Sequence, residues 1–174
     1  MKKIILVLTL AFGAHTANAQ VDLITKHNGE TVKGKVIKLD EFTVIYKYDG
    51  EDAENTMSKY AIEKIVYGKS GRVEEVTAKI DLAGEADWEK VVILEDKSSI
   101  SGLIKGGEVR GKTGLINYHT GNTADKKAEM KLKKEAAAAG YPFILMTADK
   151  TTVGASSNQL GGSQAIKKGI GYKY

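Results

Sequence analysis

The chain has no cysteine, which excludes disulfides, thiolate metal sites and thiol chemistry together. It has one proline, Pro142, and few aromatics: three Phe, one Trp and eight Tyr among 174 residues. Long apolar runs are also missing after residue 19. The runs that remain, such as Phe143 to Met146, have the length of a core strand, whereas a membrane helix needs about 20 apolar residues. Histidine is scarce too, with only His27 and His119 beyond residue 19. One histidine without a cysteine or second histidine nearby is a poor metal site, and no Ser/His/Asp pattern is legible. Neither a metal nor a cofactor is expected, and the composition points away from catalysis.

What is present begins with an address. Lys2 and Lys3 give a positive start, Ile4 to Phe12 an apolar run too short to span a bilayer, and Ala17-Asn18-Ala19 a small-x-small cleavage pattern. Residues 1–19 are therefore predicted to be a signal peptide, cut between Ala19 and Gln20. No cysteine follows the apolar run, so a cysteine-linked lipid anchor is not expected.

Charge is unevenly placed. From Gln20 to Asp87 there are 10 basic and 14 acidic residues, and from Trp88 to Tyr174 there are 14 basic and 8 acidic. The asymmetry hints at two units, the second able to meet an acidic surface. The predicted division is a β-rich unit over 20–80 and an α+β unit over 88–174, with a glycine-containing acidic junction between them.

In the first unit, Val21 to Lys26, Thr31 to Leu39, Phe42 to Tyr48, Ile65 to Tyr67 and Arg72 to Val76 are predicted strands, rich in β-branched and aromatic residues. His27-Asn28-Gly29 is a hairpin-turn candidate that leaves His27 in solvent, and Tyr60-Ala61-Ile62 a short helical turn. Asn28-Gly29-Glu30, Gly34-Lys35-Val36, Val44-Ile45-Tyr46 and Ile62-Glu63-Lys64-Ile65 resemble the strand rhythm of small SH3-like and Sm-like barrels. That resemblance implies a small β-barrel or rolled sheet. Sm-like barrels commonly bind RNA, but export and the acidic balance of this half argue against nucleic acid as a partner.

In the second unit, Val91 to Leu94 and Ile100 to Ile104 are predicted to form a hairpin, and Leu115 to His119 a strand. A helix over about 123–139 follows, with Asn122 as its cap, Asp125 at the capping-box spacing, and Gly140 and Pro142 ending it. Ala124, Ala128, Leu132, Ala136 and Ala139 make one narrow stripe of small side chains, suited to close packing on a sheet. Phe143 to Thr147 reads as a central strand, which gives a βαβ unit. A closing strand places Ile166, Ile170, Tyr172 and Tyr174 on one face, and Lys167 and Lys173 on the other. The topology resembles small α+β envelope domains of Gram-negative bacteria. The fold class is α+β.

Gly106 to Thr113 fits the phosphate-loop pattern G-x-x-x-x-G-K-[ST]. Such a loop must open directly into a helix, whose N-terminus stabilises phosphate. Here a strand-like stretch follows, and too little chain remains for a multi-stranded nucleotide-binding core, so a β-turn is expected and no nucleotide. His119, Asn122 and Asp125, at a strand end before a helix, are the local candidates for binding.

These readings lead to an exported, non-catalytic protein of the periplasm or cell surface. It would bind an envelope protein or acidic surface and would not span the membrane. The alternatives are an exported hydrolase with a site near His119, and a small outer-membrane barrel suggested by the alternating C-terminal Ile170, Tyr172 and Tyr174.

Overall fold

The computed structural model describes residues 21–114, 121–152 and 164–174. The first sheet contains β1 (Asp22–Lys26), β2 (Thr31–Leu39), β3 (Thr43–Tyr48), β4 (Glu54–Ser58), β5 (Ile62–Val66) and β6 (Val73–Glu75). Its order is β4-β3-β2-β1-β5-β6, and every pairing is antiparallel. Alternation along β3 sends Val44 and Tyr46 inward, where they meet Ile24, Met57, Ala61, Ile62 and Ile65 in a dry cluster. Fully burying an Ile or Val there contributes about 1.5–3 kcal/mol per side chain. β4 was not expected from the sequence. Its residues Glu-Asn-Thr-Met-Ser carry one large apolar side chain, Met57, which the register sets opposite Val44. Pairing with β3 makes this segment a strand.

The second sheet contains β7 (Val92–Leu94), β8 (Ile104–Lys112), β9 (Phe143–Thr152) and β10 (Gln164–Lys173), in the order β7-β9-β10-β8. β7 runs parallel to β9, and β10 is antiparallel to both β8 and β9. The helix α1 (Gly121–Ala138) lies on one face, burying Ala124, Ala128, Leu132, Ala136 and Ala137. At Gly111 the helix backbone comes so near that a Cβ would stand 1.8 Å from the Ala128 carbonyl oxygen. Only glycine fits beneath it. The helix ends in a Schellman arrangement: Gly140 (φ 72°) donates its N–H to Ala137 O at 3.1 Å, and Tyr141 to Ala136 O at 2.9 Å. The Tyr141 ring then lies over Gly106 and Gly171, filling space where any side chain on either strand would collide with it.

The opposite face of this sheet carries Leu94, Phe143, Leu145 and Tyr172, packed with Tyr60, Ile80, Ile100, Leu103 and Tyr174. Tyr60 belongs to the 3-10 turn Lys59–Ala61 of the first sheet, so aromatic packing joins the two sheets. Tyr60 meets Phe143 at 5.2 Å between ring centres, Phe143 meets Tyr174 at 5.4 Å, and Tyr174 meets His27 at 4.8 Å. Backbone bonds reinforce the join: Ser58 N–H donates to Ser101 O at 2.8 Å. The 3-10 segment Glu85–Lys90 follows the first sheet and is held to α1 by Trp88 and a 3.1 Å Lys134–Glu85 ion pair.

Mostly β structure with one main helix agrees with the α+β expectation, but several details differ. Lys97–Ile100 is a 3-10 turn, followed by a tight turn at Gly102 (φ 82°), so Ile100 to Ile104 is not a strand. No hairpin joins it to β7, because Ile100 and Leu103 turn into the apolar clusters and β7 pairs with β9 instead. Gly106 to Lys112 is strand β8, not a turn; at Gly106 and Gly111 the missing side chain makes room for Tyr141 and for α1. Asn122 lies inside the first turn of α1, not at its cap. Ala139 is exposed while Ala137 is buried, because the stripe ends where the helix does. The predicted strand Leu115 to His119 lies outside the described residues. Among those residues the strand preceding α1 is β8, separated from β9 by β10. No helix of the described residues is long and apolar enough to cross a membrane.

Candidate functional site

Of the three residues singled out from sequence, His119 lies outside the described residues and Asn122 is exposed on α1. Asp125 is drawn away from any capping role. Its Oδ1 accepts from Lys167 Nζ at 2.9 Å and from Thr151 Oγ1 at 3.3 Å, while Lys167 Nζ also donates to Asp149 Oδ2 at 2.6 Å. Lys167, on the strand face opposite Ile166, is buried with its side chain 7% exposed, because α1 covers that face of β10. Burial alone works to lower the pKa of this amine. Hydrogen bonds to Asp149 and Asp125, and the charges of both carboxylates, outweigh burial and raise it above the ordinary lysine value. A lysine acting as nucleophile or base must shed its proton near neutrality; this one is held charged. The trio is an electrostatic tie between α1, β9 and β10.

The phosphate-loop-like stretch ends in the same region. Residues 108–112 are extended and in register with β10, Gly106 and Gly107 lie where that register shifts, and Thr113 exchanges bonds with Ala165: Thr113 N–H donates to Ala165 O at 3.0 Å, and Ala165 N–H to Thr113 Oγ1 at 2.9 Å. The Lys112 carbonyl accepts from Lys131 Nζ at 3.0 Å. The backbone is extended here, without the curl that gathers N–H groups around a phosphate.

His27 is half-buried, a second departure from expectation. Its Nε2 lies 3.0 Å from Thr77 Oγ1, and its ring packs edge-on against Tyr174. Burial lowers its pKa; Glu63 and Asp81 oppose that shift and Lys79 adds to it.

A cleft of about 580 Å³ lies where the two sheets meet, lined by Phe42, Tyr60, Ile93, Leu94, Glu95, Asp96 and Ser99. Each wall follows from local structure. Phe42 sits just before β3 and is 46% exposed, with its carbonyl accepting from Lys59 N–H at 2.9 Å. Tyr60 is set by the Ser58 hydroxyl, which accepts from its N–H at 3.3 Å and caps the 3-10 turn. Ile93 and Leu94 come from β7, the terminal strand of its sheet. Glu95 and Asp96 follow directly. Asp96 Oδ1 accepts from Ser98 N–H at 2.7 Å, a bond that holds its carboxyl below the ordinary range. Both carboxylates are exposed, and among the described residues neither is in an ion pair. The cleft thus combines an aromatic and aliphatic floor with an acidic rim.

A smaller cavity of about 290 Å³ lies between α1 and the sheet, lined by Glu108, Val109, Arg110, Glu135, Thr147, Lys168 and Gly169. Its charges are of both signs, and Glu135 already accepts from Arg110 N–H at 3.1 Å. Among the described residues no three His, Cys, Asp or Glu side chains converge as metal ligands. Sequence reasoning missed both the cleft and Lys167. The only trace of the cleft was an acidic pair, Glu95-Asp96, after the apolar run Val91 to Leu94. Comparison with family models, curated proteins and solved structures finds no match for this chain.

Proposed function

We propose that the protein is exported after removal of residues 1–19 and acts in the bacterial envelope by binding rather than by catalysis, with the cleft between its two sheets as the binding site. The observation that carries this reading is the cleft itself: Phe42, Tyr60 and Ile93 keep apolar surface accessible, beside carboxylates that are in no ion pair among the described residues. Concave, mostly apolar surfaces with a few polar groups are where ligands gain buried area and orientation together.

The basic second half supports recognition of an acidic surface less well. On α1, Lys133 pairs with Glu129, Lys134 with Glu85, and Lys131 with a backbone carbonyl, so much of that charge is already engaged. For the hydrolase alternative, Asp125 is engaged by Lys167, and His119 lies outside the described residues. The outer-membrane barrel reading requires one closed sheet, whereas the described strands form two with separate ends. For the first unit, the small SH3-like barrel is supported by a meander from β1 to β4, a 3-10 turn, and a β5 that returns beside β1. A core drawn from β1, β3, β4 and β5 also supports that reading.

Two measurements test the proposal. Fractionation of the native organism with mass analysis should find a chain starting at Gln20 in the envelope or medium; an intact Met1 in the cytoplasm would overturn export. A fragment screen on isotope-labelled 20–174 should shift amide resonances of Tyr60, Ile93 and Leu94 first. A turnover activity abolished by replacing one side chain would refute the binding-only reading.

A further inference from the structure

Resting on the cleft reading, the geometry points to a more specific occupant: we propose that the cleft takes an extended, basic segment of a partner protein, added as a strand to the free edge of β7. In the parallel ladder with β9, Val92 donates its N–H to Pro142 O at 2.9 Å. In such a ladder, alternate residues of a strand turn their N–H and C=O to opposite sides, so the backbone groups of Ile93 face away from β9. β7 ends its sheet, and no strand of the described residues pairs with that side. Ile93 also lines the cleft, and among the described residues its outward N–H and C=O have no backbone partner, so the free edge and the apolar space share this residue. An unpaired edge of this kind is a template for another strand, and main-chain bonding there gives affinity without demanding one sequence.

The cleft's lining selects what that strand carries. Phe42 and Tyr60 offer ring surface for an apolar or aromatic side chain, spaced at every second residue along an added strand. Glu95 and Asp96 stand immediately beyond the C-terminal end of β7, exposed and without an ion pair among the described residues, so a Lys or Arg of the added segment meets two negative charges there. Charge complementarity therefore favours a basic segment over an acidic one. β7 spans only Val92–Leu94, which limits the pairing to a few residues and makes the side-chain contacts necessary for affinity.

The test uses the mature chain 20–174 and two series of synthetic peptides, seven residues each. In one series Val, Thr and Tyr alternate with Lys; in the other Glu replaces Lys. Wild type is expected to bind the Lys series and not the Glu series. Ile93→Pro removes the outward N–H, which β9 does not use, as well as fixing φ and trimming the side chain, and should weaken binding about tenfold or more. Glu95→Lys combined with Asp96→Asn should move the preference to the Glu series; the asparagine keeps an oxygen for the Ser98 cap. Amide spectra report that each variant is folded, and if Ile93→Pro does not fold, the charge reversal decides alone. Equal binding of both series, binding of neither, or a folded Ile93→Pro protein that binds like wild type overturns the proposal. Concentration-dependent self-association through the same residues also overturns it, since the occupant would then be a second copy. Small aromatic fragments separate the two levels. If they perturb the cleft while no peptide binds, strand addition fails and the cleft reading stands; if they leave it untouched, the cleft reading fails as well.

Discussion

Replacing Gly111 with alanine tests how α1 is seated on the second sheet. The new Cβ would stand 1.8 Å from Ala128 O, 2.7 Å from Leu132 N and 2.8 Å from the Ala128 carbonyl carbon. All three are helix backbone atoms, so no side-chain rotation relieves the clash. To reach an ordinary separation of about 3.4 Å, the strand and helix must part by about 1.6 Å, a gap that weakens dispersion along the whole contact. Ala124, Ala128, Leu132 and Ala136, all fully buried, depend on that contact. Overpacking costs about 1–3 kcal/mol, and a backbone clash with no rotamer escape places this substitution at about 3 kcal/mol. For a chain of this size that lowers Tm by roughly 6–12 °C. Gly107→Ala is the control. It lies in the same strand, and its Cβ would meet the Tyr141 side chain, nearest at the hydroxyl at 3.3 Å and with ring carbons at ordinary contact, so it should cost under about 1 kcal/mol. Urea and thermal unfolding of the mature proteins give both values. Equal stability of the two variants would refute direct seating of the helix on β8.

Three further outcomes are expected. Lys167→Met keeps the buried stem but leaves Asp125 and Asp149 facing each other without their cation; it should destabilise by about 1–3 kcal/mol, and adding Asp125→Asn should recover part of the loss, as a double-mutant cycle in urea would read. Tyr141→Ala uncovers Gly106 and Gly171 and should cost about 2–4 kcal/mol by the same measurement. Burial holds the His27 pKa below its ordinary 6.5, so on acidification the unfolded chain takes up the proton first, and stability should fall as the pH drops from about 6.5 toward the lowered value. His27→Phe should flatten that slope between pH 7 and the carboxylate range, about pH 4.5. The lowered carboxyls of Glu30, Asp87 and Asp96 act only below their own ordinary values, outside this window. An unchanged slope in the His27 variant would place the titration elsewhere.

Local chemistry made part of this fold legible. Gly140 followed by Pro142 marked the end of α1 because one backbone conformation and one missing N–H are enough to stop a helix. Strands β1 to β3 stood out by their β-branched and aromatic residues, and the alanine stripe pointed to close packing on a sheet. Other features depended on partners distant in sequence. Whether Gly106 and Gly111 serve a turn or a close approach is decided by Tyr141 and Ala128, which no short window contains. Alternation separated Lys167 from Ile166 and Tyr172, but it could not show that both faces of β10 are covered, one by α1 and one by the aromatic join between the sheets. The cleft escaped notice for the same reason: Phe42 and Tyr60 come from one sheet and Ile93 to Asp96 from the other, so the site exists only where the sheets meet.

Amide shift mapping on labelled 20–174, titrated with the lysine-containing peptides, decides whether the β7 edge is the binding surface. The largest changes are expected at Tyr60, Ile93, Leu94 and Glu95, with little change around Asp125, Asp149 and Lys167. Changes centred instead on the Lys167 tie or on the polar cavity at Arg110 and Lys168, with the β7 edge silent, would contradict it.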